Sequence, residues 1–182
     1  EMTRKLHGNF GGDLRVRMEG AAVAAACAVG YVGAGTVEFL LDGDGNFWFL
    51  EMNTLLQVEH PVTEAVCGVD LVALQLSIAE GHAIPAELLV EVPLRGHAIE
   101  VRLCAEDPYS GYLPSSGVFH TFRFPDIPGV RVDSAIESGS EVPPYYDSMI
   151  AKVIAHGATR AEAVRRLTAA LRGAELIGPV TN

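Results

Sequence analysis

The stretch that decides the fold is residues 33–64, GAGTVEFLLDGDGNFWFLEMNTLLQVEHPVTE. It contains two apolar runs, residues 35–41 and 46–52, which are joined by Asp42-Gly43-Asp44-Gly45. Asp-Gly between β-rich runs is a strong hairpin signal, because glycine supplies the positive φ that such turns require. The stretch therefore predicts a β-hairpin.

Three polar side chains fall within this hairpin. Glu38 lies inside the first run, Glu51 ends the second, and Asn53 follows Glu51 by two positions. Successive strand residues alternate faces, so pairing across the turn brings both carboxylates and the amide to one region. Two carboxylates and an amide oxygen suit Mg²⁺, which is usually held by one or two carboxylates plus substrate phosphates. From the residues alone, exposed strand glutamates remain the alternative.

Composition excludes several classes of protein. The chain has 182 residues, 49% of them apolar, which predicts one large or two small folded domains. The formal net charge of −10 argues against nucleic-acid binding. No uncharged apolar run reaches the roughly 20 residues that cross a bilayer, and no signal peptide opens the chain. Three widely spaced cysteines favour a reducing, cytoplasmic compartment.

The remaining pattern predicts an α+β chain. Residues 1–13 are an unassigned tail, and helices are expected over residues 14–29, 63–80 and 159–175. Residues 85–91 resemble a linker, and the domain boundary is placed near Leu94. After it, short β-rich runs are punctuated by prolines and occupy residues 97–104, 117–124, 130–134 and 149–156.

Several longer motifs resemble one known family. They are EMNTLLQVEHPVTE, GVDLV, GHAIEVRLCAEDP, LPSSG, GVRVDS, PPYYDSMIAKVIAHG and GPVTN, in unbroken order between residue 51 and residue 182. In this order they resemble biotin carboxylase, the ATP-grasp component of biotin-dependent acyl-CoA carboxylases. The resemblance begins at about residue 30 and covers only the rear half of such an enzyme.

The resemblance implies a fold and an activity. Residues 14–94 would be the C-terminal part of an ATP-grasp domain, an antiparallel sheet with flanking helices. Residues 95–182 would be a truncated biotin carboxylase C-terminal domain of α+β type. The intact enzyme would use ATP, with Mg²⁺ or Mn²⁺, and bicarbonate to carboxylate biotin by way of carboxyphosphate. The implied partners are a biotin carboxyl carrier protein, a carboxyltransferase and a second copy bound through the C-terminal domain. The implied compartment is the cytoplasm, or the mitochondrial matrix in a eukaryote.

The resemblance also implies roles on the nucleotide side. Glu38 and Glu51, with Asn53, would hold the metal of MgATP, while Gln57 and the backbone at Val58 would hold bicarbonate. Glu59 would be the general base that deprotonates bicarbonate, which makes chemical sense because the dianion is the better nucleophile. Read without the family, Glu59 is a surface glutamate in a proline-bounded loop.

On the biotin side, Arg102 would stabilise the enolate of the ureido ring while its nitrogen attacks CO₂. A fixed guanidinium aimed at developing negative charge suits that role. Read without the family, Arg102 is a strand arginine that pairs with Glu100.

One position departs from the family motif. Leu55 stands where the family has an arginine that helps to bind bicarbonate. A leucine has no charge and no donor, so reduced activity is expected. The fragment alone is expected to be inactive. Two alternatives stay open: a non-catalytic dimerisation or scaffold remnant, and another ATP-grasp ligase of the carbamoyl-phosphate synthase type.

Overall fold

The computed structural model describes residues 12–88 and 92–182. The chain divides into two compact units between Pro93 and Leu94. Most of the expected tail, and residues 89–91 of the expected linker, lie outside the described residues. Within those that are described, no helix on its own is both long and apolar enough to cross a bilayer.

The described part of the first unit contains one hairpin, three α-helices and a 3₁₀ turn. Its elements are α1 (Gly12–Ala28), β1 (Thr36–Leu41), β2 (Phe47–Asn53), α2 (His60–Cys67), α3 (Leu71–Ala79) and a 3₁₀ turn (Ala86–Leu88). Helix α1 is rich in alanine, the best helix former. It begins at Gly12, two residues before the expected start.

The predicted hairpin is confirmed. Strands β1 and β2 pair antiparallel, with a bulge after Glu38. Asp42 organises the turn: its Oδ1 accepts from the Asn46 backbone N–H at 2.8 Å, and its Oδ2 accepts from the Asn46 amide at 2.9 Å. Gly45 has φ 82°, the left-handed conformation that glycine was expected to supply.

The single helix expected over residues 63–80 is wrong. The structure has two helices, α2 and α3, bent by 100° at the break. Gly68 ends α2 at φ 71°, and its N–H donates to Glu64 O at 2.8 Å. Asp70 then caps α3, accepting from the Ala73 N–H at 2.8 Å. This bent pair together meets the length and composition of a membrane span, which neither helix meets alone.

The second unit is mainly β structure with one long helix. Its elements are β3 (His97–Cys104), β4 (Glu106–Asp107), a 3₁₀ turn (Pro108–Ser110), β5 (Leu113–Pro114), β6 (Gly117–Val118), β7 (Thr121–Arg123), β8 (Val130–Ser134), β9 (Glu141–Val142), β10 (Met149–Gly157), α4 (Arg160–Arg172) and β11 (Glu175–Ile177).

A three-stranded antiparallel sheet in the order β3-β10-β8 forms the centre of the second unit. Its apolar face packs with α4, and Val153 and Ala155 of β10 are fully buried there with Leu167 and Ala170 of the helix. A second cluster includes Phe119, which is fully buried with its ring centroid 5.7 Å from that of Phe122.

Two expectations for this unit need correction. Residues 117–124 do not form one strand, since β6 pairs with β9 and β7 pairs with β11. The last helix ends at Arg172, not at residue 175, and Glu175 begins β11. The predicted N-cap is confirmed, because Thr159 Oγ1 accepts from the Glu162 N–H at 3.2 Å.

Candidate functional site

The hairpin brings its two glutamates together. Glu38 of β1 lies directly opposite Glu51 of β2. Two like charges facing each other across a strand pair are destabilising unless something of opposite charge or a set of donors compensates them. The arrangement is therefore a costly one for purely structural glutamates.

Two amides converge on this carboxylate pair. The Asn53 amide donates to Glu38 Oε1 at 2.8 Å and reaches Glu51 Oε1 at 3.5 Å. The Gln57 amide donates to Glu38 Oε1 at 3.3 Å. Four predicted site residues thus meet at one end of the hairpin.

This donor set fits a magnesium or manganese ion. Within the described chain, no group of three or more His, Cys, Asp or Glu side chains forms a metal cluster. Two carboxylates with a neighbouring amide are nonetheless the protein share of a site that a nucleotide completes with its phosphates. Among the described residues, Glu38, Glu51 and Asn53 are the ones that would hold the ion.

The residues predicted to bind and deprotonate bicarbonate lie in the loop that leads into α2. Gln57 O accepts from the His60 backbone N–H at 3.1 Å, and His60 Nδ1 lies 2.7 Å from the same oxygen. Glu59 occupies the N-cap position of α2 and makes no side-chain cap hydrogen bond. The fully buried Pro61 follows in the first turn. The loop is therefore fixed by its backbone, and the Glu59 carboxylate is not used to cap the helix.

Leu55 lies just before this loop. Its side chain is 71% exposed. An exposed leucine beside a cluster of carboxylates and amides gains little from burial and provides no donor to an anion. The residue contributes neither to the core nor to the polar cluster.

Arg102 belongs to the second unit, on β3 at the edge of the three-stranded sheet. It is exposed, and Lys152 of β10 lies directly opposite it. Lys152 in turn lies opposite Asp133 of β8, with Nζ 3.6 Å from Asp133 Oδ2. Arg131 also grips Asp133 with two hydrogen bonds of 2.6 and 2.8 Å.

Arg102, Lys152 and Asp133 lie side by side across the three strands and form a polar row, in which Asp133 is the anion. Burial raises the pKa of Asp133, but the hydrogen bond and charge of Arg131 and the charge of Lys152 outweigh burial and hold the pKa below 3.8. Sequence reasoning missed the row, because residues 102, 133 and 152 are distant along the chain and only the strand register aligns them.

Sequence reasoning also missed Asn182. Its backbone N–H donates to Cys104 O at 3.1 Å, and its side-chain Oδ1 accepts from the Cys104 N–H at 2.9 Å. Its Nδ2 donates to Arg102 O at 3.2 Å. The closing GPVTN motif was the signal, although nothing in it indicates a partner 80 residues away.

Two family models match the chain in succession. Residues 11–87 match the carbamoyl-phosphate synthase L chain ATP-binding domain, and residues 100–182 match the biotin carboxylase C-terminal domain. The second match, to a domain described as that of biotin carboxylase, favours this family over a ligase of the carbamoyl-phosphate synthase type. This chain belongs to the biotin carboxylase family.

Curated relatives agree. The chain is 50% identical over 166 residues to a biotin carboxylase of Nostoc sp., and 50% identical over 170 residues to biotin carboxylase 2 of Bacillus subtilis. It is 47% identical to the mitochondrial propionyl-CoA carboxylase alpha chain of Mus musculus over 161 residues. These alignments cover 91%, 93% and 87% of this chain, and 37%, 38% and 22% of the relatives.

Solved structures show the same fold. One is the biotin carboxylase domain dimer of Hydrogenobacter thermophilus 2-oxoglutarate carboxylase, in complex with MgADP, ADP and bicarbonate. It matches with a TM-score of 0.86 at 41% identity, over 94% of this chain and 38% of that one. A biotin carboxylase complex from Campylobacter jejuni matches with 0.85 at 40% identity, over 94% and 38%. The expected fold class is confirmed: an ATP-grasp lobe followed by a biotin carboxylase C-terminal domain.

Proposed function

We propose that this chain forms the rear of the active site of a biotin carboxylase. In that enzyme, MgATP and bicarbonate give carboxyphosphate, and the carboxyl group then passes to biotin on a carrier protein. The observation that supports this most strongly is the facing pair Glu38 and Glu51, with the amides of Asn53 and Gln57 directed at Glu38. Facing like charges destabilise a strand pair, so a contribution to the stability of the hairpin does not explain this arrangement.

Glu38, Glu51 and Asn53 would hold the divalent ion of MgATP. When bound, that ion offsets charge on the phosphate oxygens. Asn53 and Gln57 orient the carboxylate of Glu38 by donating to one of its oxygens, which leaves the pair pre-arranged before nucleotide arrives. The chain's share of this step is therefore binding and orientation.

Glu59 would remove the proton from bicarbonate, with Gln57 and the Val58 backbone positioning the anion. An oxygen of the resulting dianion attacks the γ-phosphorus of ATP, a new P–O bond forms, and the bond to the β-phosphate breaks to release ADP. A general base of this kind contributes about 10²–10⁴-fold. The position of Glu59 at the start of α2, outside the cap hydrogen bonding, supports this role.

Arg102 would stabilise the biotin enolate during the second step. It is a permanent cation on an exposed edge strand, a suitable place from which to meet a substrate delivered by another protein. The further partners of the proposal are the carrier protein, a carboxyltransferase and a second copy of the chain, in the cytoplasm or mitochondrial matrix. Arg131 is a candidate for the contact between copies.

The test uses a chimera, since the chain spans less than two fifths of its curated biotin carboxylase relatives. The chain replaces the matching segment of the Nostoc sp. enzyme, and bicarbonate-dependent ADP release and biotin carboxylation are measured. Glu59→Gln should lower both at least about 100-fold. Glu80→Gln, an exposed glutamate of the same unit, should change neither. The chain alone should release no ADP.

A scaffold role is the second candidate, and Leu55 is the observation that favours it. The chimera is therefore also made with Leu55→Arg. If both backgrounds lack bicarbonate-dependent ADP release while the protein still folds and self-associates, the catalytic proposal fails and the scaffold reading holds.

A further inference from the structure

Arg102 lies on a strand that has a neighbour on only one side. In the second unit the sheet order is β3-β10-β8, so β3 is an edge. Edge strands expose backbone N–H and C=O groups that are normally covered or blunted in some way. Arg102 and Cys104 are two residues apart, and their backbone groups therefore face the same side of the strand.

Asn182 covers this edge as a single residue. It makes three hydrogen bonds to the outward-facing groups of Arg102 and Cys104, with its own N–H, its side-chain oxygen and its side-chain nitrogen. A carboxamide carries the same donor and acceptor as a peptide group, so its side chain continues the ladder where no strand is present. Alanine at this position would retain only the backbone contact.

The segment that carries Asn182 is itself anchored. Strand β11 pairs with β7, and the Val180 N–H donates to Ser115 Oγ at 3.0 Å. The segment that carries the asparagine is therefore held by a strand pairing and by a side-chain hydrogen bond. Because the segment is anchored in this way, the hydrogen bond of Asn182 to Arg102 O joins two ordered parts of the unit.

We propose that Asn182 is a positioning residue for Arg102, which sets how well the guanidinium meets the biotin ring. The inference rests on the proposed role of Arg102 and names Asn182 as the residue that fixes the backbone of Arg102. The support is needed because the guanidinium is at the end of a long side chain, where a small backbone shift is carried to the reacting atoms. A misplacement of about 1 Å can cost about 100-fold in rate.

The contacts of Asn182 with Arg102 and Cys104, termed the edge bracket, are first tested in the 182-residue chain by amide hydrogen exchange. Asn182→Ala should speed exchange of the Cys104 amide, and Asn182→Asp should keep its protection because the acceptor oxygen remains. Thr168→Ala, a change at an exposed position of α4 that is no part of the Asn182 segment, is the control. Equal exchange at Cys104 in Asn182→Ala and in the parent would overturn the proposal.

The catalytic consequence is tested in the active chimera with free biotin as substrate. Asn182→Ala and Asn182→Asp should each lower kcat/KM for biotin about tenfold, because both lose the donor to Arg102 O. Bicarbonate-dependent ADP release without biotin should change less than about twofold in both variants, and Thr168→Ala should change neither rate. A general structural role would lower both rates together.

The two proposals fail in different ways. A parent chimera that never consumes biotin overturns the proposed function and this inference with it. This inference alone is overturned if the parent chimera is active and Asn182→Ala leaves kcat/KM for biotin unchanged. It is also overturned if Asn182→Ala lowers biotin carboxylation and biotin-independent ADP release by the same factor.

Discussion

Apolar strands are exposed in the first unit and buried in the second. In the hairpin of the first unit, Trp48, Phe49 and Leu50 are 56%, 57% and 50% exposed. In strand β10 of the second unit, Val153 and Ala155 are fully buried against α4. Both segments are apolar runs of strand formers, so the run itself does not determine burial. The difference lies in what packs on each sheet. Within the described residues, α4 covers the sheet of the second unit, whereas these three side chains of the hairpin stay exposed.

This contrast predicts the largest difference in stability. Phe119→Ala should lower the free energy of unfolding by about 3–5 kcal/mol, since a fully buried ring leaves a cavity. Phe49→Ala, the same change at a ring that is more than half exposed, should cost less than about 1 kcal/mol. Urea unfolding of the 182-residue chain, followed by circular dichroism, measures both. Similar costs would mean that the hairpin ring is covered in solution.

The units also differ in where they hold cations. The polar face of the second unit carries Arg102, Arg131 and Lys152 within one small sheet. In the first unit, Leu55 precedes the loop that we propose binds bicarbonate, at the position where the family has an arginine.

Leu55→Arg is expected to strengthen bicarbonate binding by the first unit, because it supplies the cation that this position lacks. A charged hydrogen bond to bicarbonate is worth about 1.5–3 kcal/mol, so kcat/KM for bicarbonate in the chimera should rise about 10- to 150-fold. The matched control is Leu76→Arg, which adds the same charge at an exposed position of α3. A gain from both variants would indicate a general electrostatic effect and contradict a specific site.

A third prediction concerns backbone and not side chains. Gly68→Ala should cost about 1–2 kcal/mol, because φ is 71° and no neighbouring atom lies within 4 Å of an added Cβ. Gly20→Ala, in helix α1 with the same open space, should instead stabilise by about 0.5–1 kcal/mol. Denaturant midpoints of the two variants should move in opposite directions. A shift in the same direction would contradict the conformational explanation.

Local signals predicted much of this molecule. The turn at Asp42, the strand His97–Cys104 and the cap at Thr159 were all predictable, because each depends on residues within a few positions. The facing of Glu38 and Glu51 also followed from the turn that joins them. The break at Gly68 did not, since apolar spacing continues across it and a single glycine is tolerated in a helix.

The polar row and the edge bracket were not predictable from the sequence. Asp133 meets Lys152 only through the register of β8 on β10, and Asn182 meets Arg102 across 80 positions. Register and edge pairing depend on the assembled core, which no local pattern encodes. The supporting residues of a site are therefore harder to find from sequence than the residues they support.

The smallest predicted effect is a pH dependence confined to the second unit. The pKa of Asp133 is held below 3.8 in the folded chain, where Arg131 and Lys152 surround the carboxylate. A lowered folded-state pKa means that the stabilisation is complete above the unfolded value and is lost as the pH falls through the folded value. Asp133 therefore stabilises the unit at neutral pH, and this stabilisation is lost in acid as the pH falls from the ordinary value of an aspartate through the lowered pKa of the folded chain.

Asp133→Asn should remove this dependence. The variant should be less stable than the parent at pH 7 and approach the parent's stability in acid as the pH falls through the lowered pKa of Asp133, because the parent then carries a protonated side chain too. Urea midpoints measured from neutral pH into acid follow the convergence, with Asp126→Asn as the control at an exposed aspartate. A constant gap between variant and parent at all pH values would mean that packing, and not charge, is what Asp133 contributes. Convergence would show that the polar row stabilises the second unit through opposite charges, whereas the facing carboxylates of the hairpin in the first unit carry like charges.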